Sequence, residues 1–402
     1  ENIVLGHETS KRGLLSLTEA KEQINKIATE FKFEINPDDL IENLPVGVQQ
    51  RVEIIRALMY EAKVLILDEP TAVLTPQETD ELLNMMKILK AKGTSIIFIT
   101  HKLREVKAVA DQITIIRLGK VVGTATPSTT QEELANLMVG RPVDLTPNRS
   151  ISTAGANVLS VTDLNIHDFA GRAIIKNLNL DIKAGEILAI AGVQGNGQTE
   201  LVRAIMNLGE NITGSVKLEG VEILGKSVNQ TLNSGIAYIP ESREVDGLIG
   251  SFTIAENLIL DTHDTKPFAS LGQLSATDIA SNATALKKEF DIRAQSIFDT
   301  ANSLSGGNKQ KVVLARELSR TVKLVIAAQP TRGLDVGSIE FVHERLLAER
   351  NAGRAVLLIS TELDEVTALA DRIAVIYKGE ILGVVDPSVA REKLGLMMAG
   401  IK

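Results

Sequence analysis

Leu304-Ser305-Gly306-Gly307-Asn308-Lys309-Gln310 runs straight into a helix-favouring segment, Lys311 to Ser319. A serine and two glycines at a helix start present backbone N–H groups and a hydroxyl to an anion, and the helix dipole adds partial positive charge there. Alone, Ser-Gly-Gly is far more often an ordinary cap. What distinguishes it is the sequel: an apolar strand, Leu324 to Ala327, then Gln329-Pro330-Thr331-Arg332-Gly333-Leu334-Asp335.

Working outward, the chain repeats itself. Residues 44–119 lie on 304–379 at a constant offset of 260. Leu44, Gly47 and Gln50 are identical to Leu304, Gly307 and Gln310, and Arg56 and Leu58 to Arg316 and Leu318. Pro70-Thr71 falls on Pro330-Thr331, Ala110-Asp111 on Ala370-Asp371, and Gly119 on Gly379. One register held over so many positions means two copies of one module. Glu1-Asn2 matches Glu256-Asn257, so the first copy begins deep inside the module, and nothing in it answers to Val158–Ala255. The copies are expected at 1–146 and 147–402, joined by the Pro-, Ser- and Thr-rich stretch Arg141–Asn157. Apolar spacing predicts helices over 18–32 and 277–290, and strands over 64–67, 95–100, 187–191 and 355–360. Strands alternating with helices give an α/β architecture.

Between the strand Glu186–Ala191 and a helix from Glu200 stands Gly192-Val193-Gln194-Gly195-Asn196-Gly197-Gln198-Thr199. A glycine-rich turn in that context points N–H groups at a phosphate. Gln198 stands where such loops carry lysine, so a charge-assisted contact worth about 1.5–3 kcal/mol becomes a neutral one. The Thr199 hydroxyl is placed to meet Mg²⁺. The first copy lacks this loop but ends its strand Val64–Leu67 in Asp68-Glu69-Pro70-Thr71. There Asp68 can hold the Mg²⁺ shell, and Glu69 can orient or deprotonate an attacking water. The counterparts of Asp68, Glu69 and His101 in the second copy are Ala328, Gln329 and Thr361. Conversely, Pro45 replaces Ser305 in the first copy, and proline offers neither N–H nor hydroxyl. The defects are complementary.

This order of motifs resembles the ATP-binding-cassette (ABC) ATPases over essentially the whole chain. The resemblance implies two tandem P-loop NTPase modules, each a RecA-like core plus a helical subdomain, the first lacking its N-terminal part. In that family Ser305, Gly306 and Gly307 would hold the γ-phosphate of ATP bound to the opposite module. His101 would be the switch histidine, and Phe169 the aromatic that stacks on adenine. Glu241 occupies the position of the glutamine that couples nucleotide to permease, and Ser242–Gly250 becomes a permease contact. Head-to-tail pairing would make one competent site from Asp68, Glu69 and His101 with Ser305–Gly307. The other, built on Gln198, Ala328, Gln329 and Thr361, would bind nucleotide without appreciable turnover. The isolated chain is expected to hydrolyse ATP poorly.

Ala327–Gly337, Gly192–Gly197 and Thr71–Pro76 look most like the importers of nucleosides. The implied cofactors are ATP and Mg²⁺. The implied partners are two transmembrane permease subunits and, indirectly, an extracytoplasmic solute-binding protein, with the ATPase peripheral on the cytoplasmic face of the plasma membrane. A simple-sugar importer subunit is the nearest alternative. A tandem cassette acting on ribosomes or nucleic acid is a more distant one, disfavoured by the loss of one carboxylate set and the weakly charged linker.

Composition sets the outer bounds. At 402 residues, with 44% hydrophobic and 23% charged positions, the chain has the profile of two globular domains. The absence of cysteine excludes disulfides and thiolate metal sites. No apolar run approaches the roughly 18 residues of a membrane span. A net charge of −8 argues against nucleic acid as main partner. The chain starts at Glu1 rather than methionine and is expected to be a piece of a longer protein.

Overall fold

A computed structural model describes residues 1–143 and 154–401, except positions 7, 9, 12, 13, 32, 34, 45, 60, 61, 72, 73 and 75. The chain divides into two compact units, 1–143 and 144–402. The boundary expected at 146/147, and with it most of the expected linker, lies outside the described residues.

In the first unit a short antiparallel hairpin, β1 (Ser10–Lys11) and β2 (Leu14–Leu15), precedes helices α1 (Leu17–Phe31) and α2 (Val46–Leu58). There follow β3 (Val64–Asp68), α3 (Pro76–Ala91), β4 (Ser95–Ile99), α4 (Leu103–Val109), β5 (Ile113–Arg117), β6 (Lys120–Ala125) and α5 (Gln131–Val139). β3 and β4 pair in parallel, β5 and β6 antiparallel. Ile24, Ile55, Leu65, Leu67, Leu82 and Met86 form its main core.

The second unit opens with the long antiparallel strands β7 (Asn157–His167) and β8 (Ala173–Lys183). β9 (Ile187–Ala191), α6 (Gln198–Ile205), β10 (Ile212–Leu218), β11 (Val221–Glu222), α7 (Val228–Asn233) and β12 (Ile236–Ile239) come next. A helical insertion holds α8 (Ile254–Asn257), the hairpin β13 (Ala269–Ser270) and β14 (Gln273–Leu274), α9 (Ala276–Glu289) and α10 (Gly306–Leu318). The chain closes with β15 (Leu324–Ala328), α11 (Val336–Asn351), β16 (Ala355–Ser360), α12 (Leu363–Leu369), β17 (Arg372–Tyr377), β18 (Glu380–Val385) and α13 (Arg391–Met398). A six-stranded sheet of order β12-β15-β16-β9-β17-β18 is parallel except at β18, beside a four-stranded antiparallel sheet of order β11-β10-β7-β8. β9 is buried along its whole length. Its pleat sends Ile187, Ala189 and Ala191 into a core shared with α10 to α13, and Leu188 and Ile190 into a core shared with α6 and the antiparallel sheet.

The repeat survives at the level of single hydrogen-bonded residues. β3 pairs with β4 as Val64 opposite Ser95, and β15 pairs with β16 as Leu324 opposite Ala355, each residue 260 positions beyond its counterpart. The hairpins β5–β6 and β17–β18 agree too, down to a register irregularity after Ile115 in one and Val375 in the other. In the second unit β9 lies between β16 and β17; the described residues of the first place no strand between β4 and β5. Val64, Ile66, Ile97 and Ile99 are consequently exposed, whereas Leu324, Ile326, Leu357 and Ile359 are buried under α6 and the antiparallel sheet.

Most expected elements form within a residue or two. The helix after Leu304 starts at Gly306, five residues earlier than expected, because Ser305 caps it directly. The helix after the glycine-rich loop likewise starts at Gln198 instead of Glu200.

Candidate functional site

The glycine-rich loop of the second unit is a turn between a fully buried strand and the N-terminus of α6. Its glycines do different jobs. A Cβ on Gly192 would lie 2.5 Å from Gln198 Nε2 and 2.7 Å from Ile376 Cγ2, so this position must be bare for the loop to close. Gly197, at φ +106°, turns the chain into the helix through a region closed to most side chains. Gln198 is buried and spends its amide on the loop: Nε2 donates to the Val193 carbonyl at 3.0 Å, and Oε1 accepts from Asn196 N–H at 3.2 Å. Asn196 Oδ1 accepts from Lys378 N–H at 2.8 Å, tying the loop to the β17–β18 turn. The neutral side chain that replaces lysine therefore braces the cradle from inside.

Gln194, Gly195, Gln198, Thr199, Tyr238, Glu241, Ala328 and Gln329 line one small cleft. Glu241 crosses it, accepting from Gln194 Nε2 at 3.3 Å and from the Thr199 hydroxyl at 3.5 Å. It also pairs with Arg332 Nη1 at 2.6 Å. Burial, then the charges of Asp246 and Glu241, push the Tyr238 phenol up to about 12, so it stays protonated. Gln329 sits at φ +48° and receives Thr361 N–H and hydroxyl on its Oε1, both at 3.3 Å. Phe169 is 92% exposed in the loop between β7 and β8, outside any core and outside the lining of the cleft.

In the first unit Asp68 and Glu69 stand where β3 ends. Glu69 adopts φ +44°, a conformation rare for a residue with a Cβ, while its N–H donates to the Ile99 carbonyl at 2.9 Å. His101 Nδ1 lies 2.9 Å from Glu69 Oε1. Behind them the buried Thr71 hydroxyl donates to Glu105 Oε2 at 2.7 Å. The structure thus brings Glu69 and His101 together as the sequence suggests, with Asp68 adjacent on the strand.

Ser305 is the N-cap of α10; its hydroxyl accepts from Asn308 Nδ2 at 3.0 Å. A Cβ on Gly307 would lie 2.1 Å from Ser338 Oγ, and one on Gly306 2.9 Å from Arg243 Nη2. Gly307 is demanded by close packing inside its own unit, whereas at Gly306 only the mobile end of the Arg243 side chain would have to give way. Lower on the same helix, Glu317 Oε2 accepts from Tyr238 N–H at 3.0 Å and from Arg320 Nη2 at 2.5 Å, linking α10 to the strand that leads to Glu241. The matching segment of the first unit turns on Pro45, which is outside the described residues.

Sequence reasoning gave Arg243 only as part of a permease contact and Arg332 no role of its own. Arg332 pairs with Glu241 across 91 positions, and Arg243 Nη1 donates to the Arg332 carbonyl at 2.8 Å. No local spacing announces such contacts. A family model described as ABC transporter matches residues 1–72 and 175–332. The nucleoside import ATP-binding protein NupA of Lactococcus lactis subsp. cremoris is 46% identical over 402 residues, covering all of this chain and 79% of that protein. The guanosine import ATP-binding protein NupO of Bacillus subtilis is 44% identical over the same length and the same shares. Among solved structures, an ATP-binding subunit of an ABC transporter superposes with a TM-score of 0.51 at 21% identity, over 60% of this chain and 99% of that one.

Proposed function

The chain belongs to the ABC transporter family, and on that premise we propose that it is the nucleotide-hydrolysing subunit of a nucleoside importer with one competent and one degenerate nucleotide site. The observation that carries the reading is the matched pair of strand ends. Glu69 and His101 touch in the first module, where Gln329 and Thr361 touch in the second. An acid-capable pair has become an amide–hydroxyl pair that can neither take a proton from water nor hold a charge.

Each residue has a task in this scheme. Glu69 accepts the proton of the attacking water or fixes its lone pair toward the γ-phosphate; His101, held at its Nδ1 side by Glu69, meets the same phosphate. Ser305 and the N–H groups opening α10 close over that phosphate from the other module. In the second module Gln194, Gly195 and Thr199 receive the phosphates of a bound nucleotide, and Phe169 offers an exposed ring for the base. Asp68 in the first module and the Thr199 hydroxyl with Glu241 in the second are hard oxygen donors that suit Mg²⁺. Mg²⁺ bound beside phosphates takes one or two carboxylates and fills the rest of its shell with waters and phosphate oxygens. When bound, Mg²⁺ neutralises charge on the phosphates.

No helix among the described residues is long and apolar enough to cross a membrane. The likeness to import ATP-binding proteins supports placing the chain at the cytoplasmic face of the membrane against two permease subunits, with an extracytoplasmic binding protein supplying the solute. The test is uptake of labelled guanosine and of labelled ribose by vesicles carrying the complete transporter. Guanosine uptake lost on Glu69→Gln, with nucleotide binding retained, is expected; uptake of ribose alone would move the protein to the sugar importers.

A further inference from the structure

Glu241 has two claimants on one carboxylate. Oε1 is bound to Arg332 Nη1 at 2.6 Å, while Oε2 faces the Thr199 hydroxyl at 3.5 Å across the cleft. Arg332 is held from behind as well, because its carbonyl accepts from Arg243 Nη1 at 2.8 Å. Arg243 in turn stands against Gly306, its Nη2 2.9 Å from where a Cβ there would lie. Glu241, Arg332 and Arg243 thus form a bracket from the nucleotide cleft, through the loop 331–335, to the first residue of α10.

The cleft has lost the carboxylate its counterpart carries at Asp68, since Ala328 stands there. Glu241 is left as the acidic side chain lining it. A guanidinium at 2.6 Å neutralises much of the attraction that carboxylate would exert on a divalent cation beside Thr199. We propose that Arg332 is a positioning residue for the ATPase: it competes for Glu241 with the cation that accompanies nucleotide in the second-module cleft. Filling that cleft draws Glu241 toward the cation and loosens its hold on Arg332, and the loop 331–335 beside Ser305–Gly307 gains freedom. A site that does not turn over thereby acts on the segment next to the phosphate-closing helix. The inference rests on the reading that this cleft binds nucleotide. The first module has Ala72 at the matching position, so the device belongs to the second module alone.

The 402-residue chain carries one glycine-rich phosphate loop, so its nucleotide binding reports this cleft. Titration with a fluorescent ADP analogue, in Mg²⁺ and in EDTA, separates the cation's contribution. Arg332→Ala should tighten binding in Mg²⁺ by about fivefold, the scale of a partly exposed ion pair, and leave binding in EDTA unchanged. Arg332→Lys should stay close to the parent, and Glu241→Gln should erase the gain when combined with Arg332→Ala. Unchanged or weaker binding of Arg332→Ala in Mg²⁺, or an equal gain in EDTA, overturns the proposal while leaving nucleotide binding intact. No binding by the folded parent overturns the nucleotide reading beneath it.

Discussion

At the ends of β3 and β15 the same backbone carries different chemistry. Both strands pair with their neighbours in one register, and both put the following residue into the left-handed region, Glu69 at φ +44° and Gln329 at φ +48°. Behind each, a buried threonine hydroxyl donates to a buried glutamate, Thr71 to Glu105 and Thr331 to Glu365. The side chains that face outward are the ones that differ. Strain at a chemically inert Gln329 would be hard to understand if only catalysis required it. Its persistence shows that the turn also serves the fold, by letting the N–H of residue 69 or 329 close onto the neighbouring strand at 2.9 or 2.7 Å. Side-chain chemistry and scaffold geometry are separable in this module.

The sharpest way to break that separation is to exchange the chemistry. In the complete protein Glu69→Gln should lower steady-state phosphate release by at least about 100-fold, the usual contribution of a positioned general base. Ala328→Asp combined with Gln329→Glu should leave turnover within about twofold of the parent, because the restored carboxylates are proposed to face a clamp spoiled by Pro45. Substantial hydrolysis rescued by that double change in a Glu69→Gln background would show that the second site needs only its carboxylates.

A second test probes the fold instead of the chemistry. Gly119 and Gly379 occupy matching turns at φ +73° and +80°. A Cβ on Gly119 meets nothing within 4 Å, whereas one on Gly379 would lie 1.8 Å from the Ile174 carbonyl oxygen on β8. Gly119→Ala should cost only the left-handed penalty of about 1–2 kcal/mol. Gly379→Ala adds overpacking against backbone and should cost at least about 3 kcal/mol. Urea midpoints of the two variants measure the difference; equal costs would mean that β8 does not press on this turn.

Much of this was open to reading in the sequence, for physical reasons that differ from site to site. Strand β9 was legible because five consecutive apolar residues ahead of a glycine-rich turn can only be buried on both faces. The repeat was legible because offset alignment needs no structure. The pairing of Glu69 with His101 followed from matching both to the family's motif. By contrast, the role of Gln198 could not be foreseen: absence of a lysine says what is lost, and only the loop geometry shows the amide turned inward onto Val193 and Asn196. Nor does Arg332 differ, as a sequence letter, from any surface arginine; its meaning lies in Glu241 and Arg243, far away in the chain.

A smaller effect tests the shared buried contact. Thr71→Val and Thr331→Val each deprive a buried carboxylate of a hydroxyl donor, at a cost of about 1–3 kcal/mol. Glu365 also has His343 Nε2 at 3.1 Å, and Glu105 the Thr100 hydroxyl at 3.4 Å, so neither is stripped bare. The two losses should agree within about 0.5 kcal/mol by denaturant unfolding if the modules share this contact energetically as well as geometrically.

The smallest effect concerns the one terminal helix in which the first module is better made. Thr130 caps α5 in a closed capping box with Glu133, whereas α13 has Ala390 at its N-cap, with no side-chain cap, and carries Lys393 where the glutamate stands. The Thr130 backbone N–H, then its hydroxyl, hold the Glu133 carboxyl below its ordinary range. A folded-state pKa depressed in this way contributes stability above the unfolded value that fades as pH falls through the folded one. Building the box into the second module with Ala390→Thr and Lys393→Glu should raise its thermal midpoint by about 2 °C at pH 7. The gain should shrink at low pH, once the new glutamate is protonated, to the share of the threonine cap. An undiminished gain in acid would assign the whole effect to the threonine cap, and no gain at any pH would mean that the box adds nothing to this helix.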